Sequence, residues 1–230
     1  MLNALTIDLE DWYQGIEQPF ASWGTFSDRL HVGTDVLLNI LEQAGTKATF
    51  FVLGWVAEKH PALLRSLTEQ GHEIASHGFD HEKLYDTTPS VFRESLARAK
   101  DSTENASGTA VVGHRAPFFS LTRDSLWALD VISEQGFKYD SSVYPGSNWR
   151  YGIPDTPEYP YRIAGTALTE FPASILRLFG RRLGIGGAYF RILPYRVTRN
   201  GIGELNAAGR PAMFYLHPWE LDPRHPRVRF

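Results

Sequence analysis

The 230-residue sequence contains no cysteine. That absence excludes disulfide bonds, thiolate zinc sites and a cysteine nucleophile. It leaves the compartment open, because cysteine-free proteins occur in both reducing and oxidising environments. Any metal ion must therefore be bound by histidine, aspartate or glutamate side chains.

The sequence also lacks a long apolar run and an excess of basic residues. No stretch reaches the ~18 apolar residues that a membrane span requires. Residues 5–9, the first apolar run, are interrupted by an acid and are not built like an export signal. The 23 basic and 26 acidic residues give a net charge of −3, which provides no field for nucleic acid. We therefore expect a cytoplasmic protein with neither a membrane span nor a nucleic-acid partner.

The composition is globular, with 43% hydrophobic residues, and strand signals alternate with helix signals. Three predicted helices end in Glu-Gln-Ala-Gly at 42–45 and in Glu-Gln-Gly at 69–71 and 134–136, and a strand signal follows each glycine. Strands that alternate with helices pair in parallel through right-handed crossovers. The pattern predicts an α/β fold, an open sheet or a barrel, formed by residues 1–230 as one domain. Functional groups are expected at the carboxyl ends of its strands.

Single elements are predicted from capping and breaking residues. Helices are expected to begin at Thr34, Pro61, Thr88-Pro89 and Thr122, and a weaker helix is expected over 194–208. Strands are expected over 4–9, 48–53, 72–76, 110–114, 168–171 and 212–216.

The periodicity fails between Ser141 and Gly165, where four prolines alternate with five aromatic residues. Long irregular segments inside a domain are usually functional or linkers. Large rings lose most when they are left unpacked, so this segment is not a flexible linker.

Polar side chains follow four of the predicted strands, where folding does not require them. They are Asp8, Glu10, Asp11, His77, His81, His114, Arg115 and His217. Because the carboxyl ends of parallel strands meet at one edge, we expect these side chains to lie close together.

The pair His77 and His81 has the i,i+4 spacing that places two imidazoles on one side of a helical turn. Chance alone gives about 0.3 such pairs among eight histidines, so the spacing by itself is weak support for a metal site. The position of the pair, directly after a predicted strand, is the stronger signal.

Three acids within four residues repel one another, and a bound cation would explain Asp8, Glu10 and Asp11 together. Helix N-capping is the alternative role for an aspartate here. An extended strand places Asp8 and Glu10 on one face, whereas a turn would bring Asp11 back toward the ion. The residues alone leave the choice of ligand open.

Taken together, these motifs resemble the polysaccharide deacetylases with a NodB-type domain, carbohydrate esterase family 4. Residues 6–12 resemble the family's acidic motif, 76–81 its histidine pair, 113–118 its Arg-x-Pro motif and 216–218 its final Leu-His. Asp-x-Glu-Asp-Trp at 8–12, Tyr-Asp-Ser-Ser at 139–142 and His-Pro-Trp-Glu at 217–220 are similar to the subgroup encoded with bacterial exopolysaccharide and PEP-CTERM sorting systems.

The resemblance implies a distorted (β/α) barrel with fewer than eight strands. It also implies a metal-dependent hydrolase that removes N-acetyl groups from an N-acetylhexosamine-containing polysaccharide. Its divalent ion, expected to be Zn²⁺, would be held by Asp11, His77 and His81.

The same resemblance implies roles for four catalytic residues. Asp8 would act as the base, with Glu10 beside it, Arg115 would orient the base, and His217 would protonate the departing amine. The expected substrate-binding residues are Trp12, Pro117, Asp140, Trp149, Tyr151 and Trp219.

Two other functions stay open at this point. One is an allantoinase-like amidohydrolase that acts on a small cyclic amide. The other is a non-catalytic glycan-binding protein on the same fold.

Overall fold

A computed structural model describes residues 2–146, 151–178 and 180–226 of the chain. One curled sheet of eight strands forms its centre, beside a separate two-stranded hairpin. The strands of the large sheet are β1 (Ala4–Leu9), β2 (Thr49–Val52), β3 (Glu73–Ser76), β4 (Gly113–His114), β5 (Tyr139–Asp140), β6 (Tyr161–Arg162), β7 (Thr169–Glu170) and β10 (Met213–Leu216). The hairpin consists of β8 (Ile175–Leu178) and β9 (Arg181–Gly184).

The large sheet has the order β10-β1-β2-β3-β4-β5-β7-β6. Every neighbouring pair in it is parallel except β6 and β7, which are antiparallel. Seven parallel strands thus make a half-barrel, and β6 adds an antiparallel edge. The predicted α/β class is confirmed, and the number of parallel strands is below the eight of a closed barrel.

Helices connect the parallel strands. They are α1 (Trp12–Gly15), α2 (Leu30–Gln43), α3 (Gly54–Lys59), α4 (Pro61–Glu69), α5 (Pro89–Ser107), α6 (Trp127–Glu134), α7 (Gly187–Ile192) and α8 (Tyr195–Ala207). Short 3₁₀ helices cover Phe20–Thr25, Leu84–Asp86, Pro117–Phe119, Arg123–Ser125 and Pro218–Leu221. In the part of the chain that the structure describes, no helix is both long and apolar enough to cross a bilayer.

Most of the predicted helix boundaries are confirmed. Helix α2 ends at the predicted glutamine, and α4 and α6 each end one residue before it. Pro61 and Pro89 occupy the first turns of α4 and α5. The start predicted at Thr34 is wrong, because α2 begins at Leu30. The hydroxyl of Thr34 donates to the Leu30 carbonyl at 2.7 Å instead of capping the helix.

The side chains of β1 alternate between the two faces of the sheet. Ile7 and Leu9 are buried in the main apolar core that the sheet shares with its helices. Thr6 and Asp8 alternate with them and face the other side, where both contact Arg115. The polar end of that second face is where the candidate site lies.

Candidate active site

A cavity of about 240 Å³ opens at the carboxyl ends of β1, β3 and β10. Its acidic and basic lining residues are Asp8, Glu10, His77, His81, Arg191, His217 and Glu220. The sheet therefore brings together residues that are up to 212 positions apart in the chain, as the strand-end argument predicts.

The two histidines of the pair lie on an irregular loop after β3, not on the predicted helical turn. Gly78 and His81 both have positive φ values, 77° and 62°, so the loop folds back and still brings the rings to 5.2 Å. His77 Nδ1 lies 2.8 Å from the Arg115 carbonyl, to which it can donate, and its Nε2 faces the cavity side. Such a hydrogen bond fixes the tautomer of a histidine that binds metal.

Glu10, His77 and His81 form a group whose ligand atoms all lie within 4.8 Å of one another. All three side chains are buried, and Glu10 Oε2 lies 2.8 Å from His81 Nε2. Burial alone would raise the pKa of Glu10, but His81 and the other two histidines lower it to about 2. Burial lowers the pKa of His77 to about 4. An ionised carboxylate and a neutral imidazole are the forms that bind a divalent ion, and two imidazoles with one carboxylate are a suitable donor set, so these residues fit one.

Asp11, the ligand expected from the sequence, lies outside this group. Its Oδ1 accepts a hydrogen bond from the Trp12 amide, and its Oδ2 accepts one from the Arg29 amide, each at 2.7 Å. Asp11 therefore caps α1, and both of its oxygens are used by the backbone. Glu10 lies between the end of β1 and this cap, and its side chain is the one that contacts the histidine pair.

Asp8 is paired with Arg115 beneath the cavity. Arg115 is wholly buried and its Nη1 donates to Asp8 Oδ1 at 2.6 Å and to the Thr6 hydroxyl at 3.0 Å. The guanidinium also stacks 4.0 Å from the Phe51 ring. Burial alone would raise the pKa of Asp8, but the Arg115 charge lowers it below its ordinary value. The second oxygen, Oδ2, lies 4.0 Å from His77 Nε2 and points toward the cavity.

His217 faces the same space from the end of β10. Its Nε2 lies 3.8 Å from Asp8 Oδ2 and 3.7 Å from Glu10 Oε1, and its Nδ1 lies 3.2 Å from Glu220 Oε2. Burial alone would lower the pKa of His217, but the hydrogen bond with Glu220 and the neighbouring carboxylates raise it to about 9. The ring stacks against Trp219 with centroids 5.5 Å apart.

Of the six expected substrate-binding residues, two line the cavity, three do not and one is not described. Tyr151 and Trp219 line the cavity, and the Trp219 indole donates to Glu10 Oε1 at 3.1 Å. Trp149 lies outside the described residues. The other three are buried and are not among the residues that line the cavity.

Those three residues contact other parts of the protein or begin a helix, and they do not face the cavity. Trp12 packs edge-on against Tyr13 in the core. Pro117 begins a 3₁₀ helix. Asp140 is wholly buried and accepts a hydrogen bond from His114. The expectation that these residues contact substrate therefore has no support from their positions.

Sequence reasoning did not assign roles to Glu220, Gly15 or Phe118, all of which line the cavity. Glu220 belongs to the His-Pro-Trp-Glu segment and could have been found as the partner of His217. Gly15 has no such signal. A Cβ there would lie 2.6 Å from Trp219 Nε1, so the close contact between α1 and Trp219 requires glycine.

Two family models match the chain. The polysaccharide deacetylase model matches residues 18–139, and a domain family of unknown function, DUF3473, matches residues 141–230. The first match includes His77, His81 and Arg115, and the second includes His217.

Curated relatives match about half of this chain. A peptidoglycan deacetylase-like protein, FGM2, of Gibberella zeae is 32% identical over 124 residues, which are 53% of this chain and 35% of that protein. A chitooligosaccharide deacetylase of Azorhizobium caulinodans is 31% identical over 127 residues, 54% of this chain and 59% of that protein. The chain thus spans only part of the length of these two relatives.

Solved structures match almost the whole chain. A Mycobacterium smegmatis protein assigned to the polysaccharide deacetylases has a TM-score of 0.70 and 26% identity, covering 96% of this chain and 78% of that one. The Puue allantoinase has a TM-score of 0.65 and 18% identity, covering 94% of this chain and 77% of that one, and shows a shared fold alone. Since the deacetylase model matches more than half of its residues, the chain belongs to the polysaccharide deacetylase family.

Proposed function

We propose that the protein is a metal-dependent hydrolase that removes N-acetyl groups from an N-acetylhexosamine-containing polysaccharide and releases acetate. One observation carries the proposal. A group able to bind a metal ion, a carboxylate paired with a buried arginine, and a histidine held between carboxylates all face one cavity. The relatives named for peptidoglycan and chitooligosaccharide deacetylation support the same class of substrate.

Glu10, His77 and His81 would hold the ion, and two imidazoles with one carboxylate are a donor set that suits Zn²⁺. When bound, such an ion supplies Lewis acidity toward a carbonyl oxygen and lowers the pKa of water. The remaining chemistry belongs to side chains of this chain.

Asp8 is the base in this proposal. Arg115 occupies its Oδ1 and keeps the carboxylate ionised, which leaves Oδ2 free to accept a proton from the attacking water. The water oxygen then bonds to the acetyl carbon.

His217 is the acid. Its Nε2 faces the cavity, and Glu220 at Nδ1 orients the ring and stabilises its protonated form. His217 delivers the proton to the nitrogen as the C–N bond breaks, so that the sugar leaves as an amine and the acyl group as acetate. Without that proton the leaving group would be an amide anion, which is very unstable.

The rings of Tyr151 and Trp219 give the cavity an apolar wall. Flat rings of this kind are suited to pack on the apolar faces of sugar rings. We include Trp149 in the same surface as an expectation from the sequence.

Acetate release from a panel of N-acetylated glycans tests the proposal. An exopolysaccharide that contains N-acetylhexosamine belongs in the panel with chitooligosaccharides and peptidoglycan, because the sequence motifs resemble that subgroup. We expect release that stops after chelation and returns with Zn²⁺ or Co²⁺. Full activity after exhaustive chelation would refute the metal mechanism. Hydrolysis of a small cyclic amide alone would favour the amidohydrolase alternative, and glycan binding without acetate release would favour a binding protein.

A further inference from the structure

Two buried carboxyl groups lie behind the cavity without lining it. Asp140 on β5 and Glu170 on β7 are wholly buried and are paired in register. In-register residues of neighbouring strands project from the same face of the sheet, so the two carboxyl groups are neighbours. We propose that Asp140 and Glu170 share one proton and that this acid pair positions Arg115. The kinetic consequence rests on the proposed function, whereas the shared proton can be measured without any substrate.

The charges around the pair require a proton. Arg115 is wholly buried and its guanidinium already pairs with Asp8. The second basic group is His114, whose Nδ1 lies 2.7 Å from Asp140 Oδ1. Since Arg115 already pairs with Asp8, even a charged His114 would leave the two carboxylates of the pair facing one cation. Burying a carboxylate that has no cationic partner is unfavourable, so one carboxyl group is protonated instead.

The hydrogen bonds identify which carboxyl group carries the proton. Asp140 accepts from His114 Nδ1 at 2.7 Å, from the Ser142 hydroxyl at 2.8 Å and from the Ser142 amide at 3.2 Å. Glu170 accepts only from the Val143 amide at 2.9 Å, and its Oε2 has no donor among the described residues. Donors stabilise an ionised carboxylate, so Asp140 is the anion and Glu170 carries the proton.

The surroundings of Glu170 agree with this assignment. Burial and the negative charge of Asp140 raise the pKa of Glu170 well above its ordinary value, although Arg115 acts in the opposite direction. Tyr161, the neighbouring titratable group on β6, remains a neutral phenol because burial raises its pKa as well. Glu170 is thus a neutral hydrogen-bond donor to Asp140.

The anion of Asp140 fixes the backbone on both sides of Arg115. On one side it accepts from the His114 side chain. On the other side it holds the Ser142 hydroxyl, which accepts from the Ala116 amide at 2.8 Å. Arg115 is therefore held through both of its chain neighbours.

The position of Arg115 affects the candidate site in two ways. The guanidinium of Arg115 contacts Asp8, the proposed base, and its carbonyl lies 2.8 Å from His77 Nδ1. A shift of Arg115 would therefore move the base and the orientation of one ligand together. Asp140 and Glu170 are positioning residues, because neither lines the cavity.

Infrared difference spectroscopy measures the shared proton directly. At about pH 8 ordinary carboxyl groups are ionised, so we expect the carbonyl band of a protonated carboxylic acid in the wild-type protein. The band should disappear in Glu170→Gln and persist in Asp124→Asn, a control at an exposed carboxylate. A wild-type spectrum without the band, or a band that survives in Glu170→Gln, would overturn the shared proton.

Kinetics test the positioning. Glu170→Gln retains a neutral donor toward Asp140 and should keep kcat within about twofold. Asp140→Asn should lower kcat about 10- to 100-fold, with KM and metal content unchanged. Ser142→Ala is a milder variant that should lower kcat in the same direction if Asp140→Asn does not fold.

The results separate the two proposals. Normal kcat per folded molecule in Asp140→Asn, or in Ser142→Ala where Asp140→Asn does not fold, would overturn the positioning role. Equal losses in Glu170→Gln and Asp140→Asn would overturn the assignment of the proton to Glu170. A wild-type protein that shows the infrared band but releases no acetate from any glycan would refute the proposed function and leave the shared proton intact.

Discussion

Glu10 and Asp11 are adjacent acids with different surroundings, and this difference has a measurable consequence. Glu10→Gln should lower zinc content, because the neutral amide replaces the carboxylate nearest His81. Asp11→Asn should keep the metal, because Asp11 is not one of the residues whose ligand atoms converge, and the amide oxygen still accepts one of the two backbone hydrogen bonds. Metal analysis of the two purified variants checks this. Retained zinc in Glu10→Gln with loss in Asp11→Asn would restore Asp11 as the ligand.

His217 provides a second prediction for a single residue. His217→Ala should keep its metal but lower kcat by the ~10²–10⁴-fold typical of a lost general acid. N-acetyl substrates should lose more than O-acetyl substrates, because an alkoxide leaves with less help than an amine. Turnover of both substrate types by the variant measures the difference. The control His60→Ala, whose ring contacts Asp28, should keep normal turnover, and equal losses on both substrates would exclude His217 as the leaving-group acid.

The candidate site shows where sequence reasoning about residues stops. Residue type and strand-end position were enough to predict that Asp8, His77 and His217 face one cavity. Which of Glu10 and Asp11 lies next to the histidine pair depends on where β1 ends and how the chain turns, and two backbone amides hold the Asp11 carboxylate at the start of α1. Nothing local indicates that Asp140 turns inward to His114, because its partner lies 26 positions away.

At the scale of the elements, helix α2 packs against the 3₁₀ helix Pro218–Leu221, and Gly33 lies at their contact. A Cβ on Gly33 would lie 1.8 Å from the Pro218 carbonyl oxygen, and a backbone atom cannot turn aside. Gly33→Ala should therefore lower the free energy of unfolding by about 1–3 kcal/mol. It should also lower kcat, because Pro218 directly follows His217.

Gly203→Ala is the matched control for that substitution. Gly203 lies in α8, and a Cβ added to it would have no neighbouring atom within 4 Å. Alanine there should raise the free energy of unfolding by about 0.5–1 kcal/mol, because glycine is the poorer helix former. Chemical denaturation of both variants measures the two signs. A Gly33→Ala variant as stable as the wild type would contradict the close contact.

Element prediction succeeded where the signal is local. Proline in a first helical turn and glycine after a last one act through their own backbone preferences, so Pro61 and Pro89 marked real helix starts. Helix α2 starts after Arg29, whose side chain does not cap it, so the sequence there contains no capping residue that would predict the start. Strand β4 has only two residues, of which His114 pairs with both β3 and β5, whereas Gly113 pairs with β5 alone.

At the scale of the whole molecule, the two family matches meet near residue 140, yet the sheet crosses that point. Strand β5 pairs with β7, and β1 pairs with β10. We expect one cooperative unfolding transition, with calorimetric and van't Hoff enthalpies that agree. Differential scanning calorimetry measures both values. Two separable transitions, or a fragment 1–140 that unfolds cooperatively alone, would indicate two domains instead of one.

The pairing of β1 with β10 has a consequence for synthesis on the ribosome. Ala4 pairs with Met213, 209 positions later. At translation rates of about 5–20 residues per second, the outer edge of β1 waits about 10–40 s for its partner. An unpaired strand edge invites association with other chains, and charged side chains oppose it. We expect the acids at the end of β1 to oppose such association in the nascent chain, before the cavity that they line has formed.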